Sequence, residues 1–441
     1  MINIPSHINK IYESANSLIY RGLKDEENRP VILKVLKENY PTQAQLSHYR
    51  QEYEIISHLN ITGVIKTYGL ENYQNALVII LEDFGGESLK QLVALPFEKG
   101  GVAGIPVPHF LSFAIQLITS LGEIHAANII HKDLNPSNIV VNLATNQLKI
   151  IDFSIATRLS RENPTLKHPK VLEGTLAYMS PEQTGRMNCA LDYRTDFYSL
   201  GVTFYEVLTG GLPFQSEDAL ELVHCHLAKE PQPVCEINPK VPTIVSDIVM
   251  KLLAKTVEYR YQSAFGLKAD LENCLAHIDE IKTLNFKLGQ NDFSSHFQIS
   301  QKLYGRDKEV RTLLRAFERV IGLSKRPIPN SQPKIEMVLV TGYSGVGKST
   351  LINELQKPIT AQKGYFITGK YDQHRRNIPY FALTHAFNEF CQMLMSENDE
   401  QVAVWKQQIL AAVGSNGQVL IDVIPNLQWV IGTQPPVALV G

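Results

Sequence analysis

The segment His131-Lys132-Asp133-Leu134-Asn135-Pro136-Ser137-Asn138 carries an aspartate and, five residues on, an asparagine, in the spacing H-x-D-L-x-x-x-N. Taken singly, Asp133 reads equally well as a turn residue, because aspartate often closes turns on its own backbone. The surrounding chain argues against that. Beyond an expected hairpin over 140–151 stands Asp152-Phe153-Ser154, then Ser180-Pro181-Glu182, then Asp196 in Asp196-Phe197-Tyr198-Ser199-Leu200-Gly201. Upstream, Val31-Ile32-Leu33-Lys34 lies in a β-rich run, and Glu52 sits mid-helix on one face with Ile56 and Leu59. Singly, Glu52 reads as a solvated helix charge, His131 as a satisfied core histidine and Asp196 as a helix N-cap. Seven motifs in this order and spacing do not reduce to such separate explanations.

The coarse element pattern agrees. β-rich runs at 17–21, 31–36, 64–68 and 76–81 are interrupted by one helix over 42–59, where Leu46, Tyr49, Tyr53 and Ile56 recur at helical spacing. After Gly85-Gly86 the texture turns helical, with amphipathic runs at 110–125, 197–209 and 244–254. A small β-rich part followed by a larger helical part is α+β ordering. Over residues 1–281 the sequence resembles a eukaryotic-type Ser/Thr protein kinase, which implies the bilobal α+β protein kinase fold, with a β-rich N-lobe and a helical C-lobe.

Phosphoryl transfer asks for positioning and charge neutralisation more than covalent help from the protein. By the resemblance, Lys34 holds the α- and β-phosphates of ATP and pairs with Glu52, while Asp133 orients the acceptor hydroxyl. Asn138 and Asp152 are hard oxygen ligands suited to Mg²⁺. The resemblance also implies Leu81 as gatekeeper, with the Glu82 carbonyl, the Phe84 amide and Val140 binding the nucleotide. It implies Glu182 paired with Arg260, Asp196 anchoring the catalytic-loop backbone, and Thr175 set against Asp133.

Departures from the family pattern are informative. The register G-x-G-x-x-G-x-V falls on Tyr12, Ser14, Ser17 and Ile19, so all three glycines are absent. Glycines there let backbone amides approach phosphates closely; serine hydroxyls are expected to donate in their place. Asn135 stands where a lysine is usual, removing one cation, and a lysine restored there is expected to be compatible with activity. Ser154 replaces a glycine, Ile32 an alanine, and Lys132 an arginine whose bidentate phosphate grip a lysine lacks. The expected outcome is an active but slow kinase. A nucleotide-binding pseudokinase scaffold is the alternative, and a third reading makes the downstream nucleotide site the main output.

That second site is Gly342-Tyr343-Ser344-Gly345-Val346-Gly347-Lys348-Ser349, which fits G-x-x-x-x-G-K-[ST], with Thr350 following. A strand is expected over 335–341, and a helix carrying Leu351, Ile352 and Leu355 after the loop, the context this motif requires. Loop amides and the helix N-terminus would surround phosphates, Lys348 adding a point charge and Ser349 a Mg²⁺ ligand. Gly342, Gly345, Gly347, Lys348, Ser349 and Thr350 are the expected nucleotide-binding residues. Leu303-Tyr304-Gly305-Arg306, Tyr371-Asp372-Gln373 and Pro379-Tyr380 resemble an AAA-type ATPase domain of signalling proteins, where it follows a Ser/Thr kinase and often precedes sensor and histidine-kinase modules. The expected layout is a kinase domain over 1–281, a linker over 282–302, and an incomplete α/β P-loop NTPase domain over 303–441. Hydrolysis needs an acidic residue after an apolar strand, and Val419-Leu420-Ile421-Asp422 is the single superficial candidate.

Composition narrows the partners. The 441 residues hold 42 Lys plus Arg against 44 Asp plus Glu, a net charge of −2 that argues against a nucleic-acid binder or a polybasic membrane binder. Unbroken apolar stretches such as 76–81 fall short of the about 20 residues that span a bilayer, and no secretory signal pattern opens the chain. Five cysteines without CxxC spacing suit reduced thiols. The expectation is a cytoplasmic protein with ATP at two sites, a protein substrate, no nucleic acid, no membrane insertion, and downstream signalling modules or oligomeric partners.

Overall fold

Aliphatic and β-branched residues alternate through Arg-Pro-Val-Ile-Leu-Lys-Val-Leu and Ala-Leu-Val-Ile-Ile-Leu-Glu, and these two runs form the middle of a five-stranded antiparallel sheet. The computed structural model describes residues 9–14, 16–24, 29–38, 41–73, 76–94, 105–159, 174–184, 191–216, 218–293, 305–321, 335–343, 346–355, 358–359, 362, 364–369, 371, 379–394 and 399–435. The chain divides into two units, Met1–Gln215 with Lys229–Gln301, and Ser216–Ala228 with Lys302–Gly441.

In the first unit the sheet order is β1 (Asn9–Glu13), β2 (Ser17–Lys24), β3 (Arg29–Leu36), then β5 (Ala76–Glu82) and β4 (Thr67–Tyr73). Register sets Ile32 opposite Leu81 and Lys34 opposite Ile79. Helix α1 (Gln43–His58) follows β3, and its start is fixed by a capping box between Thr42 and Gln45. The strand expected over 64–68 begins later, at Thr67. Val64 instead makes an isolated parallel bridge to Ile150, tying this lobe to the next.

After β6 (Glu87–Ser88) and α2 (Leu89–Ala94), helix α3 (Val107–Ala126) forms the spine of the helical lobe. It is long and apolar enough to cross a bilayer, yet Leu111, Ile118, Leu121 and Ile124 are fully enclosed by neighbouring elements. Each such burial contributes roughly 1.5–3 kcal/mol. The hairpin expected over 140–151 is present as β8 (Ile139–Asn142) and β9 (Gln147–Ile150), after a short β7 (Ile129–Ile130) that pairs with β10 (Thr157–Arg158). Helix α4 (Arg194–Thr209) is buried along its whole length. A Cβ at its Gly201 would come within 2.8 Å of Leu252, so glycine here permits a close helix approach. The chain then gives α5 (Ala219–Ala228) to the second unit and returns with α6 (Val234–Ile237), α7 (Thr243–Leu252) and α8 (Ala264–Ala276).

The stretch from 282, expected to be linker, continues this lobe through residue 293. Leu284, Phe286 and Leu288 pack on its core, and Asp292 accepts hydrogen bonds from Gln262 N (2.7 Å) and Ser263 Oγ (2.8 Å). Leu284, Phe286 and Leu288 alternate with exposed Asn285 and Lys287, a run of three apolar positions too short to stand out within a polar stretch.

In the second unit the described residues form helices and no strand: besides α5, these are α9 (Asp307–Val320), α10 (Lys348–Asn353), α11 (Phe381–Leu394), α12 (Asp399–Val413), α13 (Gly417–Val423) and α14 (Leu427–Ile431). Its core gathers Leu394, Ile421 and Val430 beside an edge-to-face trio of Tyr365, Phe390 and Trp405. The strand expected over 335–341 is absent as a paired strand. Ile335 (98% exposed), Met337 and Leu339 are open to solvent, because an apolar run becomes a strand only beside a neighbour that accepts its hydrogen bonds.

Candidate active site

Lys34 projects from β3 and is nearly sealed from solvent, at 6% exposure. Its Nζ donates to Glu52 Oε1 at 2.6 Å and to Asp152 Oδ1 at 3.0 Å. Glu52 reaches it from the inner face of α1, where residues three and four apart line up with Tyr49 and Ile56. Its 2% exposure rules out the solvated-charge reading. Burial alone pulls the Lys34 pKa down, but the Glu52 and Asp152 carboxylates outweigh it and hold the ammonium above its usual value. Burial likewise pushes Asp152 up, and Lys34, with the Ser154 amide at 3.2 Å, overrides that and holds it at about 2.

The loop after β7 presents Asp133. Its Oδ1 accepts from the Thr175 amide at 2.8 Å and its Oδ2 from Asn138 Nδ2 at 3.0 Å. Asn138 Nδ2 also donates to the Asp133 carbonyl (2.9 Å), so the oxygen of that amide is the atom left for a cation. Asp196 pins the loop from below. It accepts from the backbone amides of His131 (2.9 Å) and Lys132 (2.8 Å) and is 2.8 Å from His125 Nε2. It lies in the first turn of α4 and is not the N-cap, which is Tyr193. Burial pushes its carboxyl up, and His125, followed by His131, more than reverses this. The pinned backbone holds Lys132 at φ 68°, and Asp152 sits at φ 62°, left-handed conformations that fit residues held by their surroundings. His131 is fully buried, with Nε2 on the Ile151 carbonyl and its ring edge-on to Phe153, which makes it structural.

Asn135 is buried and has three contacts. Its Oδ1 caps the turn Pro136–Asn138 through the Ser137 amide (2.9 Å), and its Nδ2 donates to the Asp133 carbonyl (3.1 Å) and Thr175 Oγ1 (3.4 Å). Glu182 and Arg260 form a bidentate pair at 2.6 and 2.9 Å, both at most 1% exposed, with Thr195 Oγ1 adding a third donor to the carboxylate. The Glu182 carboxyl is lowered despite burial, because Arg260 favours its charged form.

At the hinge between the lobes, the Glu82 carboxylate accepts from Lys149 and from the Lys66 amide (2.8 Å). Phe84 is bracketed by the Lys149 ammonium at 5.2 Å from its ring and by Asn142 Nδ2 at 2.6 Å from its carbonyl. Val140 lies against Gly86, where a Cβ would come within 2.6 Å of it. Lys149 and Asn142 were not foreseen, since no motif marks a contact 67 or 58 residues away. The serines expected to donate to phosphates do not face outward. Ser14 Oγ accepts from the Ser17 amide (2.9 Å), and Ser17 Oγ pairs with Tyr49 OH (2.7 Å).

A Mg²⁺ ion fits this donor set. Mg²⁺ is typically held by one or two protein oxygens, with waters and phosphates completing its octahedron, and Asn138 and Asp152 supply two. Among the described residues no cluster of three His, Cys, Asp or Glu side chains forms a separate metal cage.

In the second unit Gly347, at φ 88°, opens α10, and Lys348 Nζ lies on the carbonyls of Gly342 (2.7 Å) and Tyr343 (2.6 Å). Ser349 and Thr350 follow in the first turn. Gly345, Ser344, Leu303, Tyr304, Asp372 and Gln373 lie outside the described residues. Asp422 is not a strand-end acid: it sits on α13, exposed, and accepts from Gln418 four residues earlier at 2.9 Å. An apolar run of that length fits one face of a helix as readily as a strand.

Residues 7–276 match the protein kinase domain family. The chain belongs to that family. Residues 302–440 match the AAA ATPase domain family, so a P-loop module follows the kinase domain. Among curated proteins, the Dictyostelium discoideum hybrid signal transduction histidine kinase G is 34% identical over 428 residues, covering 77% of this chain and 12% of that protein. Bacillus subtilis serine/threonine-protein kinase PrkC is 29% identical over 268 residues, 60% of this chain and 39% of its own length. Mycobacterium tuberculosis serine/threonine-protein kinase PknL is 28% identical over 340 residues, 75% of this chain and 81% of the relative. The chain thus spans well under half of the first two kinases.

Proposed function

We propose that this chain transfers the γ-phosphate of ATP to serine or threonine of a protein, and that its P-loop module binds a second nucleotide in signal transduction. The observation that carries the reading is the buried Lys34–Glu52 pair with the half-buried Asp152 beside it, an ammonium fixed between two carboxylates. Lys34 then meets the α- and β-phosphates, and the Glu82 carbonyl, Phe84 amide and Val140 seat the adenine. Asn138 and Asp152 would hold Mg²⁺, which when bound neutralises charge on the phosphate oxygens. Asp133 accepts a hydrogen bond from the substrate hydroxyl and turns its oxygen toward the phosphorus. The Thr175 amide and Asn138 Nδ2 fix the direction of that carboxylate, and the Glu182–Arg260 pair braces the segment that receives the substrate.

The catalytic unit runs through residue 293, because Asp292 and the apolar residues before it complete the helical lobe. In the second unit Gly342, Gly345, Gly347, Lys348, Ser349 and Thr350 receive phosphates, with Ser349 placed to ligate Mg²⁺. With Asp422 on a helix surface, the module serves as a nucleotide-dependent regulator. Unbridged thiols at Cys235, Cys274 and Cys391 suit the reducing cytoplasm as the site of action.

The test is incubation of the chain with Mg-ATP and a generic basic protein, beside Asp133→Ala. Transfer to Ser or Thr that the variant loses supports the reading. ATP binding with transfer no greater than the variant's would make the domain a pseudokinase.

A further inference from the structure

A phosphate loop without glycine cannot rely on a pliable backbone to settle over phosphates, so something else must set its height. The turn is stiff by construction. Ser14 N donates to the Ser17 carbonyl at 2.9 Å, and Ser14 Oγ both accepts from Ser17 N (2.9 Å) and donates to Ser17 O (3.2 Å). Lys37 N also holds the Asn16 carbonyl at 3.0 Å. A stiff turn moves as one piece, and its position depends on where it is fastened.

The fastening is at Ser17, which opens β2. Its Oγ lies 2.7 Å from Tyr49 OH, and both residues are only 6% exposed. Tyr49 is one helical turn before Glu52 on the inner face of α1, and the Lys34 ammonium stands 5.8 Å from the centre of its ring. One tyrosine therefore touches the loop with its hydroxyl and the lysine–glutamate pair with its ring. Burial raises the phenol to about 12, so it stays protonated at neutral pH and the hydrogen bond persists. The other tie on this hairpin, Glu13 to Lys37 at 2.6 Å, is exposed, and such pairs contribute little.

We propose that Tyr49 is a positioning residue that latches the phosphate loop to α1 through Ser17, so that the loop closes over nucleotide only when Glu52 has brought Lys34 into place. This rests on the kinase reading for its consequence and on the hydrogen bond for its existence. Here a displacement of α1 would act on both the Lys34 partner and the loop, because the Tyr49 hydroxyl adds a tie to α1 beside the loop's backbone bonds to β3.

The experiment uses the full chain as wild type, Tyr49→Phe, Ser17→Ala, the double variant and Ser17→Thr. Two quantities are read: amide hydrogen exchange across residues 12–19 and the steady-state constants for Mg-ATP in phosphotransfer. A buried neutral hydrogen bond of typical strength predicts that either single variant exchanges about fivefold faster and raises KM for ATP about fivefold, with kcat changed less than about twofold. The double variant should match the singles, because both remove the same bond. Ser17→Thr keeps a hydroxyl and should restore wild-type values. Unchanged exchange in Tyr49→Phe, or single effects that multiply to about 25-fold in the double variant, would overturn the latch. A wild type without transfer above Asp133→Ala would refute the kinase reading instead, and the exchange arm would still decide the latch.

Discussion

Asn135 stands where kinases usually carry a lysine, and the structure gives it work that a lysine cannot do. Its amide oxygen caps a turn, and its nitrogen joins Asp133 to Thr175. A lysine has donors but no acceptor, so the cap is lost. Asn135→Lys should therefore lower stability by about 1 kcal/mol while phosphotransfer stays measurable. Asn135→Ala should lose the same stability and also lower kcat more than KM for ATP, since the Asp133 carbonyl and the Thr175 hydroxyl lose their shared donor. Chemical denaturation and steady-state kinetics on the two variants check this, and an unchanged midpoint would contradict the capping role. Motif order together with the family resemblance points to residues that fall inside a motif, such as Lys34, Asp133 and Asp152. Tyr49 fell inside the apolar stripe of its helix, and nothing in that stripe shows that its hydroxyl meets Ser17, 32 positions away.

The elements differ in how far sequence could foresee them. Helices α1, α3 and α7 and the hairpin β8–β9 follow from their own periodicity, because each buries a face that its own residues define, whereas α4 is enclosed on every side. Strand β1 is exposed at every position and shows no such pattern. The run over 335–341 has strand composition without a paired neighbour among the described residues, since pairing is a property of two segments. At this scale the staple between Glu182 and Arg260 gives a prediction. Glu182→Ala leaves a buried guanidinium unpaired and should destabilise the kinase unit by about 3–5 kcal/mol. The pH dependence has a definite sign. The folded carboxyl titrates below the ordinary value of 4.5, so its stabilisation is complete above that value and is lost as pH falls through the lower folded value. The stability gap between wild type and Glu182→Gln should be largest near pH 7 and shrink below pH 4.5. Thermal unfolding at pH 7, 5 and 3 measures it, and a gap that widens in acid would contradict the pairing.

For the whole molecule, the proposed function implies two nucleotide sites on one chain, one using Lys34 in the kinase unit and one using Lys348 in the P-loop unit. Calorimetric titration with Mg-ADP should give two sites in the wild type. Lys34→Ala and Lys348→Ala should each give one, and two sites retained in either variant would remove that lysine from nucleotide binding. The near-neutral charge of the chain fits this arrangement, since phosphate chemistry here rests on a few buried or loop-held groups. The central claim is catalysis by the first unit, and the most direct measurement is radiolabel transfer from Mg-[γ-³²P]ATP to protein, followed by phosphoamino-acid analysis, for wild type and Asp133→Ala side by side. The account predicts phosphoserine or phosphothreonine in the wild type and a loss of about two orders of magnitude or more in the variant. Equal labelling in both, or none in either, would contradict it.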